Sequence, residues 1–402
     1  MSKINHIAIQ ISSGLTPLRS NNEFWNKREI PWLKTEQLGD FIITDTNEYI
    51  SKQALDATSI KLFPKNTVSV AMYGEGKTRG NVSILGREMC TNQACCNIVV
   101  DDKKANYKYV YYWLKNSYIA LRKLAAGVRK NLNSDDIKNF DIDLKTREEQ
   151  DKISNLLYSL DIKIRNNNRI NAELETMAKT LYDYWFLQFE FPNEEGKPYK
   201  SSGGKMIWNE ELKREIPEGW KTIKLKNIVK KTNRVYDYNK ESKTYDLSIM
   251  PSNSISINDT SSSKDFETNL FAVKEGDILF GSIRPYLRKA GIASYDGAVA
   301  GTIHCYEVIK ESDYNLALFT LTSENMFKYA INNSKGTKMP VITSDDLLEF
   351  MLPYNEEIAK KFNKIKIREI IIANIKQSNE LTSLRDFLLP LLMNGQVKFK
   401  DN

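Results

Sequence analysis

At 402 residues the chain is too long for one ordinary hydrophobic core, so two or three domains are expected. Its 41% hydrophobic and 27% charged residues exclude wholesale disorder, and no run of apolar residues is long enough to offer a transmembrane helix. The net charge of +7 suits a polyanionic partner, and it is uneven: residues 1–145 carry +6, residues 219–353 only +1.

The start, from Met1 to Gln10, has no long apolar stretch and no small-residue cleavage site, so it is not read as a secretory signal. Cys90, Cys95, Cys96 and Cys305 are too few to frame a chain of this length with disulfides. Cys95, Cys96 and Cys305 sit in apolar runs, which points to buried thiols and a cytoplasmic protein.

From the first residue to about 145, short β-like runs alternate with turns. Leu62 to Ala71 leads to a basic, Gly-rich turn, and the run Cys95 to Val100 follows. An aromatic helix is then expected from Tyr107 to Leu124, followed by a loop and Ser134-Asp-Asp-Ile137, where the serine would cap a short helix. Beyond Ile153 a long helix is predicted. Ile153, Leu156, Leu157, Leu160, Ile164, Leu174, Ala178, Leu181 and Trp185 alternate in threes and fours, as in a coiled-coil seam, around a polar middle of Asn167, Asn168 and Asn171. Phe191 to Gly204, rich in Pro, Gly and Ser, reads as an irregular connector.

The same order then recurs. Val273 to Phe280 leads to the basic turn Gly281 to Gly291, then Ile303 to Ile309, a helix near Leu316 to Ile331, a loop, and Ser344-Asp-Asp-Leu347, 210 residues after the first such signal. A second long helix carries Ile358, Phe362, Ile365, Ile372, Ile375, Leu381, Leu384, Leu388 and Leu392 around Gln377, Ser378 and Asn379. The fold class is therefore α+β, with two tandem copies each followed by a long helix, and the two helices pairing as an antiparallel coiled coil.

Catalytic motifs fail on context. Ala71 to Thr78 fits a relaxed P-loop, but Gly80 to Leu85 reads as a strand where a phosphate-binding helix is required, and the second copy has no Gly-Lys-Thr. Asp141-Ile-Asp143-Leu-Lys145 has the tail of a nuclease metal site, yet its counterpart, Phe350 to Tyr354, has no carboxylate. Met351-Leu-Pro353-Tyr354 lacks most of an amino-methyltransferase core, and no Gly-rich loop follows a strand to hold a methyl donor. His6 and His304 show no zinc spacing with the cysteines.

Ile11-Ser-Ser-Gly-Leu-Thr-Pro17, Phe24-Trp25 and Ile30-Pro-Trp-Leu-Lys34, together with Phe189 to Trp220 and the helices after Arg147-Glu-Glu-Gln150 and Asn355-Glu-Glu357, resemble the specificity subunits of type I restriction–modification enzymes. The likeness covers nearly the whole chain; the second copy has Thr232 to Tyr236 where the first has its Gly-Leu-Thr-Pro turn. It implies target-recognition domains over 1–145 and 219–353, a central spacer helix over 146–190, a linker over 191–218 and a distal spacer helix over 354–402. Each recognition domain would read one half of a split duplex DNA target. Two methyltransferase subunits and restriction–translocase subunits would dock, with S-adenosylmethionine and ATP/Mg bound by those partners and no cofactor, catalytic residue or membrane contact on this chain. A coiled coil of about 35 residues is a rod of about 50 Å, enough to separate contacts by a helical turn of DNA, about 34 Å.

Two basic loops recur in each copy and are the candidate DNA-binding surface. In the first they hold Tyr73, Lys77, Thr78 and Arg79, then Arg129, Lys130 and Asn131; in the second, Ser282, Arg284, Tyr286, Arg288 and Lys289, then Lys335, Thr337 and Lys338. Arg can bridge two acceptors on a guanine edge, Asn can pair with adenine, and Lys and Thr suit phosphates. Phe186, Phe189 and Phe191, with Leu388 to Met393, are candidates for docking partner subunits. The competing readings are a self-contained DNA methyltransferase or nuclease with two DNA-binding arms, which would need a cofactor loop or metal carboxylates, and a coiled-coil adaptor that binds no DNA.

Overall fold

Short apolar runs bounded by turn residues become strands throughout the first copy. In the computed structural model, which describes residues 1–74, 76–125, 131–267 and 269–400, they are β1 (Ser2–Lys3), β2 (Ala8–Ser13), β3 (Ile30–Leu33), β4 (Ile42–Ile43), β5 (Glu48–Ile50), β6 (Val68–Ala71), β7 (Val82–Leu85), β8 (Cys90–Thr91) and β9 (Cys95–Val100), with α1 (Lys52–Ala57) before β6. One sheet has the order β2-β9-β6-β7-β4 and a second the order β5-β3-β8. The expected aromatic helix is two, α2 (Tyr107–Asn116) and α3 (Tyr118–Leu124), broken at Ser117. α2 lies on β6 and β7. After α4 (Ser134–Lys138), β10 (Asp141–Ile142) returns to pair with β1. The long helix α5 (Arg147–Tyr182) follows and ends in a π-turn over Asp183–Leu187.

The second copy repeats the plan. A hairpin of β11 (Met206–Asn209) and β12 (Arg214–Pro217) precedes β13 (Lys221–Lys224), β14 (Val229–Lys231), β15 (Arg234–Val235), β16 (Lys243–Tyr245), β17 (Ser261–Ser262), β18 (Leu270–Val273), β19 (Ile278–Gly281), β20 (Ala290–Ile292), β21 (Gly297–Ala300) and β22 (Ile303–Val308). Then come α6 (Tyr314–Leu321), α7 (Glu324–Asn333), α8 (Ser344–Leu348), β23 (Met351–Tyr354), α9 (Glu356–Asn363) and α10 (Ile367–Met393). The sheet β14-β22-β19-β20 matches β2-β9-β6-β7 strand for strand, and β13-β23 matches β1-β10. Small bonds repeat as well: the Ile4 amide donates to the Phe140 carbonyl at 3.1 Å, and the Leu225 amide to the Phe350 carbonyl at 2.8 Å. The copies diverge in their inserts, a three-stranded β5-β3-β8 sheet against a five-stranded β15-β18-β21-β16-β17 sheet.

The two Ser-Asp-Asp helices are not capped by their serines. Asn133 caps α4, its side chain accepting from the Asp135 and Asp136 amides, and Thr343 caps α8 by accepting from the Asp346 amide at 3.1 Å. Ser134 and Ser344 are already helical, because a residue one step earlier has the extended backbone a cap requires.

Residues sort into two units, 1–163 with 381–402, and 164–380, so both long helices are shared between them. In the first unit, Ile153 and Leu157 of α5 share a core with Leu389, Leu392 and Met393 of α10. Asp161 is buried there, accepting from Tyr112 Oη at 2.6 Å and from Arg385 at 2.5 Å. In the second unit, Asn167 donates to Gln377 Oε1 at 2.9 Å, and Asn374 donates to Asn171 Oδ1 at 2.8 Å. Partner numbers fall as those of α5 rise, so the pairing is antiparallel.

The seam is more polar than its leucines suggest. Ile365 and Leu384 are exposed rather than interlocked. Ile365 lies where the distal helix breaks between α9 and α10, its carbonyl and that of Phe362 taken by the Asn315 amide at 2.9 and 3.1 Å. Leu384 gives its place to Arg385.

The connector, Phe191 to Gly204, is made of turns and bends, as an irregular segment would be, but its start is packed. Phe189 and Phe191 pack on Trp220 with ring centroids 5.4 and 5.2 Å apart, and these three residues with Phe186 are buried in the core of the second unit. Phe186, Phe189, Phe191, Leu389, Leu392 and Met393 are thus core rather than free docking residues. Leu388, Pro390 and Leu391 beside them are partly covered.

Candidate nucleic-acid interface

In the second copy the two basic loops are joined through their backbones. β19 ends at Gly281, where a Cβ would lie 2.8 Å from the end of the Leu247 side chain and 3.2 Å from the Lys289 carbonyl, so the loop closes tightly over it. The Ile342 amide donates to the Ser282 carbonyl at 3.0 Å, the Arg284 amide to the Pro340 carbonyl at 2.7 Å, and Lys335 and Val341 exchange two bonds of 2.9 Å. His304 reinforces this join, its Nε2 lying 2.9 Å from the Ile342 carbonyl; burial holds its pKa below the usual value.

This join sorts the expected contacts. Arg284, Tyr286, Lys335, Thr337 and Lys338 are exposed. Ser282 is buried, and its hydroxyl donates to the Thr302 carbonyl at 2.7 Å, within the frame of the loop. Arg288 and Lys289 are partly covered. Arg288 pairs with both carboxylate oxygens of Glu324 at 2.7 and 2.8 Å, and Lys289 donates to the Leu247 carbonyl, so both brace the loop.

The first copy has the same join, the Leu132 amide donating to the Met72 carbonyl at 3.1 Å. Tyr73, Lys77 and Asn131 are exposed, and Thr78 and Arg79 are partly covered. Tyr118 Oη donates to the Lys77 carbonyl at 2.8 Å and Arg122 to the Arg79 carbonyl at 2.9 Å, so α3 holds the loop in shape. Arg129 and Lys130 lie outside the described residues. The chain runs from this loop into strand β7, not into the helix a P-loop requires.

Sequence reasoning missed a second surface of charged and aromatic residues on the insert of the first copy, where Arg19 pairs with Glu48 and Arg28 with Asp45 at 3.4 Å. The Arg19 guanidinium lies 3.8 Å from the Trp25 ring centroid and 4.8 Å from that of Trp32, and Arg28 lies 4.3 Å over Tyr49. They border an open pocket of about 360 Å³ that Asn26, Lys27 and Asn47 also line. The signal was basic residues interleaved with aromatics between positions 19 and 34.

The four cysteines are buried thiols; burial pushes those of Cys90, Cys96 and Cys305 up to about 12. Among the described residues, no group of three or more His, Cys, Asp and Glu side chains is placed to hold a metal ion, and no helix is long and apolar enough to cross a membrane.

Comparison with known proteins follows this duplication. A sequence profile of the type I restriction modification DNA specificity domain matches residues 2–176 and again 217–383. The chain is 27% identical to the type I restriction enzyme MjaIX specificity subunit of Methanocaldococcus jannaschii, covering 100% of this chain and 94% of the relative. It is 23% identical to the MjaVIII specificity subunit of the same organism, over 92% and 87% of the two chains. Its fold is similar to the crystal structure of a type I restriction–modification S subunit from M. genitalium, with a TM-score of 0.58 and 18% identity over 100% and 96% of the chains.

Proposed function

The chain belongs to the type I restriction modification DNA specificity family, as a specificity subunit and not an enzyme, and from that premise we propose that it reads a bipartite duplex DNA target through the paired basic loops of its two copies. The observation that carries this reading is the repeated backbone join. It supports this reading that, in two differently decorated copies, the joined loops carry exposed Tyr73, Lys77 and Asn131 with partly covered Thr78 and Arg79 in the first, and exposed Arg284, Tyr286, Lys335, Thr337 and Lys338 in the second. A rigid base with variable side chains above it suits sequence readout, since base contacts specify while phosphate contacts position.

Residues 1–145 and 219–353 act as the recognition domains and the two long helices as the spacer. Two methyltransferase subunits dock on this chain in the cytoplasm, and restriction–translocase subunits join them. Those partners bind S-adenosylmethionine and ATP/Mg and methylate adenine. The docking surface includes exposed apolar residues at seven-residue intervals, Ile170 and Met177 on α5 and Tyr184 in the π-turn that follows it.

Sequencing methylated adenines in a host that expresses this chain with its methyltransferase partner tests the reading. A split motif with a fixed gap is expected. An undivided motif, or methylation that persists without this chain, would sink it.

A further inference from the structure

The loop between Gly281 and Lys289 carries an apolar tip whose presence the need for basic contacts does not explain. Tyr286 is 50% exposed and Leu287 39%, and Met339 on the adjoining loop is 52% exposed. On the same two loops Arg284, Lys335 and Lys338 are exposed. Exposed apolar side chains inside a cationic rim mark a surface that meets an anionic partner with an apolar interior.

The tip is also held rigidly. Arg284 and Arg288 adopt left-handed backbone angles, φ 51° and 54°, on either side of the single turn Pro285–Leu287. L residues avoid this region, and such conformations persist only where the surroundings enforce them. Here the Arg284 amide is fixed on the Pro340 carbonyl, the Arg288 side chain on Glu324, and the Gly281 amide on the Lys289 carbonyl at 2.8 Å. Pro285 is buried beneath, so Tyr286 and Leu287 project from a fixed support.

We propose that the Tyr286–Leu287 tip is a wedge that enters a base step of the half-site read by the second copy, so that this half-site is selected partly by how readily its sequence unstacks. The proposal rests on the DNA-reading function above and specifies how one of its two surfaces works. Apolar side chains pushed between base pairs kink a duplex at steps that unstack easily, while flanking cations hold the phosphates. Among the described residues, the matching loop of the first copy exposes Tyr73 and has Gly74, Gly76 and Gly80 at positive φ rather than a buttressed Pro-Tyr-Leu turn.

The test uses the complex of this chain with its methyltransferase partner and duplexes carrying 2-aminopurine at successive positions of the methylated motif. Besides the methylated adenine, one position in one half-site should brighten several-fold on binding. Leu287→Ala and Tyr286→Ala should return that position to the free-duplex level with the melting temperature unchanged, whereas Tyr286→Phe and Leu287→Met should keep the signal. Normal duplex binding with no such position, or a signal that survives both alanine variants, overturns the wedge and leaves the DNA-reading function standing. Loss of methyltransferase association in the alanine variants, with the fluorescence intact, would reassign the tip to protein docking. Failure of the parent complex to bind any of the duplexes would overturn both readings.

Discussion

The Ile342 amide donates to the Ser282 carbonyl at 3.0 Å, and 210 residues earlier Leu132 and Met72 form the same bond at 3.1 Å. Each bond ties the loop after a central strand to the loop before a short capped helix. Because the tie is made by backbone groups, it places no demand on the side chains above it. The two copies can therefore carry different residues at their surfaces, and different inserts beside them, on one frame.

That frame separates two kinds of loop substitution. Arg284 is exposed, so Arg284→Ala should cost about 1–3 kcal/mol of binding and relax only one half-site if it reads a base. Lys77→Ala and Lys338→Ala should weaken binding to all sequences and lower the salt slope by about one each. Lys289→Ala should instead loosen the loop, because its side chain holds the Leu247 carbonyl. Titrations of the complex against specific and unrelated duplexes at several salt concentrations distinguish these cases. Parental behaviour in both Arg284→Ala and Lys338→Ala would move the reading surface elsewhere, with the Arg19 and Trp25 pocket next in line.

The duplication, the helix pair and the family were legible because they rest on patterns many residues long. What misled was local. Phe186, Phe189 and Phe191 follow a helix with no obvious partner, and only their packing on Trp220, some 30 residues on, makes them core. The leucine spacing of the distal helix hid both its break, which depends on Asn315 about 50 residues away, and the place taken by Arg385. Ser282 looked like a turn hydroxyl until the Thr302 carbonyl claimed it. In each case the deciding partner is distant in sequence, where spacing carries no information.

His304, at the join of the second copy's two basic loops, should make that join sensitive to acid. Burial lowers its pKa from 6.5 and the Lys231 charge adds to this, while the bond to the Ile342 carbonyl and the Asp345 carboxylate oppose it. As the pH falls below 6.5 the unfolded chain takes up this proton first, so stability present above that pH is lost as the pH drops toward the lower, folded value. Urea midpoints of the parent should therefore fall faster from pH 6.5 downward than those of His304→Gln. Parallel curves would show that the ring makes no such contribution.

Asp161 and Arg385 form a buried pair with Tyr112, and although burial works against the guanidinium's charge, Asp161 holds its pKa above the usual value. Arg385→Met takes from the buried Asp161 carboxylate its paired guanidinium and leaves it the Tyr112 hydroxyl, which should cost about 3–5 kcal/mol. The double variant Asp161→Leu with Arg385→Met should recover much of that loss, since it removes the unpaired charge. Denaturation midpoints for the single and double variants measure the difference. A single variant as stable as the parent would mean that water reaches the pair.

Partner docking should depend on exposed residues of α5, not on the buried aromatics that follow it. Met177→Asp should weaken association with the methyltransferase subunit by at least tenfold while leaving the melting temperature close to the parent's. Truncation after Leu384 should instead destabilise the first unit, because it removes Leu389, Leu392 and Met393 from that core. Sedimentation of the mixed subunits measures the first effect and thermal melting the second. Undiminished association of Met177→Asp would exclude these exposed residues as a docking surface.

The spacer makes the most demanding prediction. Four residues added after Asn167 are little more than one helical turn of about 3.6 residues, so the buried face of α5 keeps nearly the same direction while the helix lengthens by about 6 Å. The methylated motif should keep both half-site sequences and gain a longer gap. Two residues added at the same point turn that face by roughly 200°. They would carry Asn171 away from Asn374, to which it bonds at 2.8 Å, and Ala178 out of the core of the second unit. Methylation should then be lost or fall by at least a hundredfold. Sequencing methylated adenines in hosts carrying each variant reads both outcomes directly. An unchanged gap in the four-residue variant, or an altered half-site sequence, would show that the helices do not set the spacing.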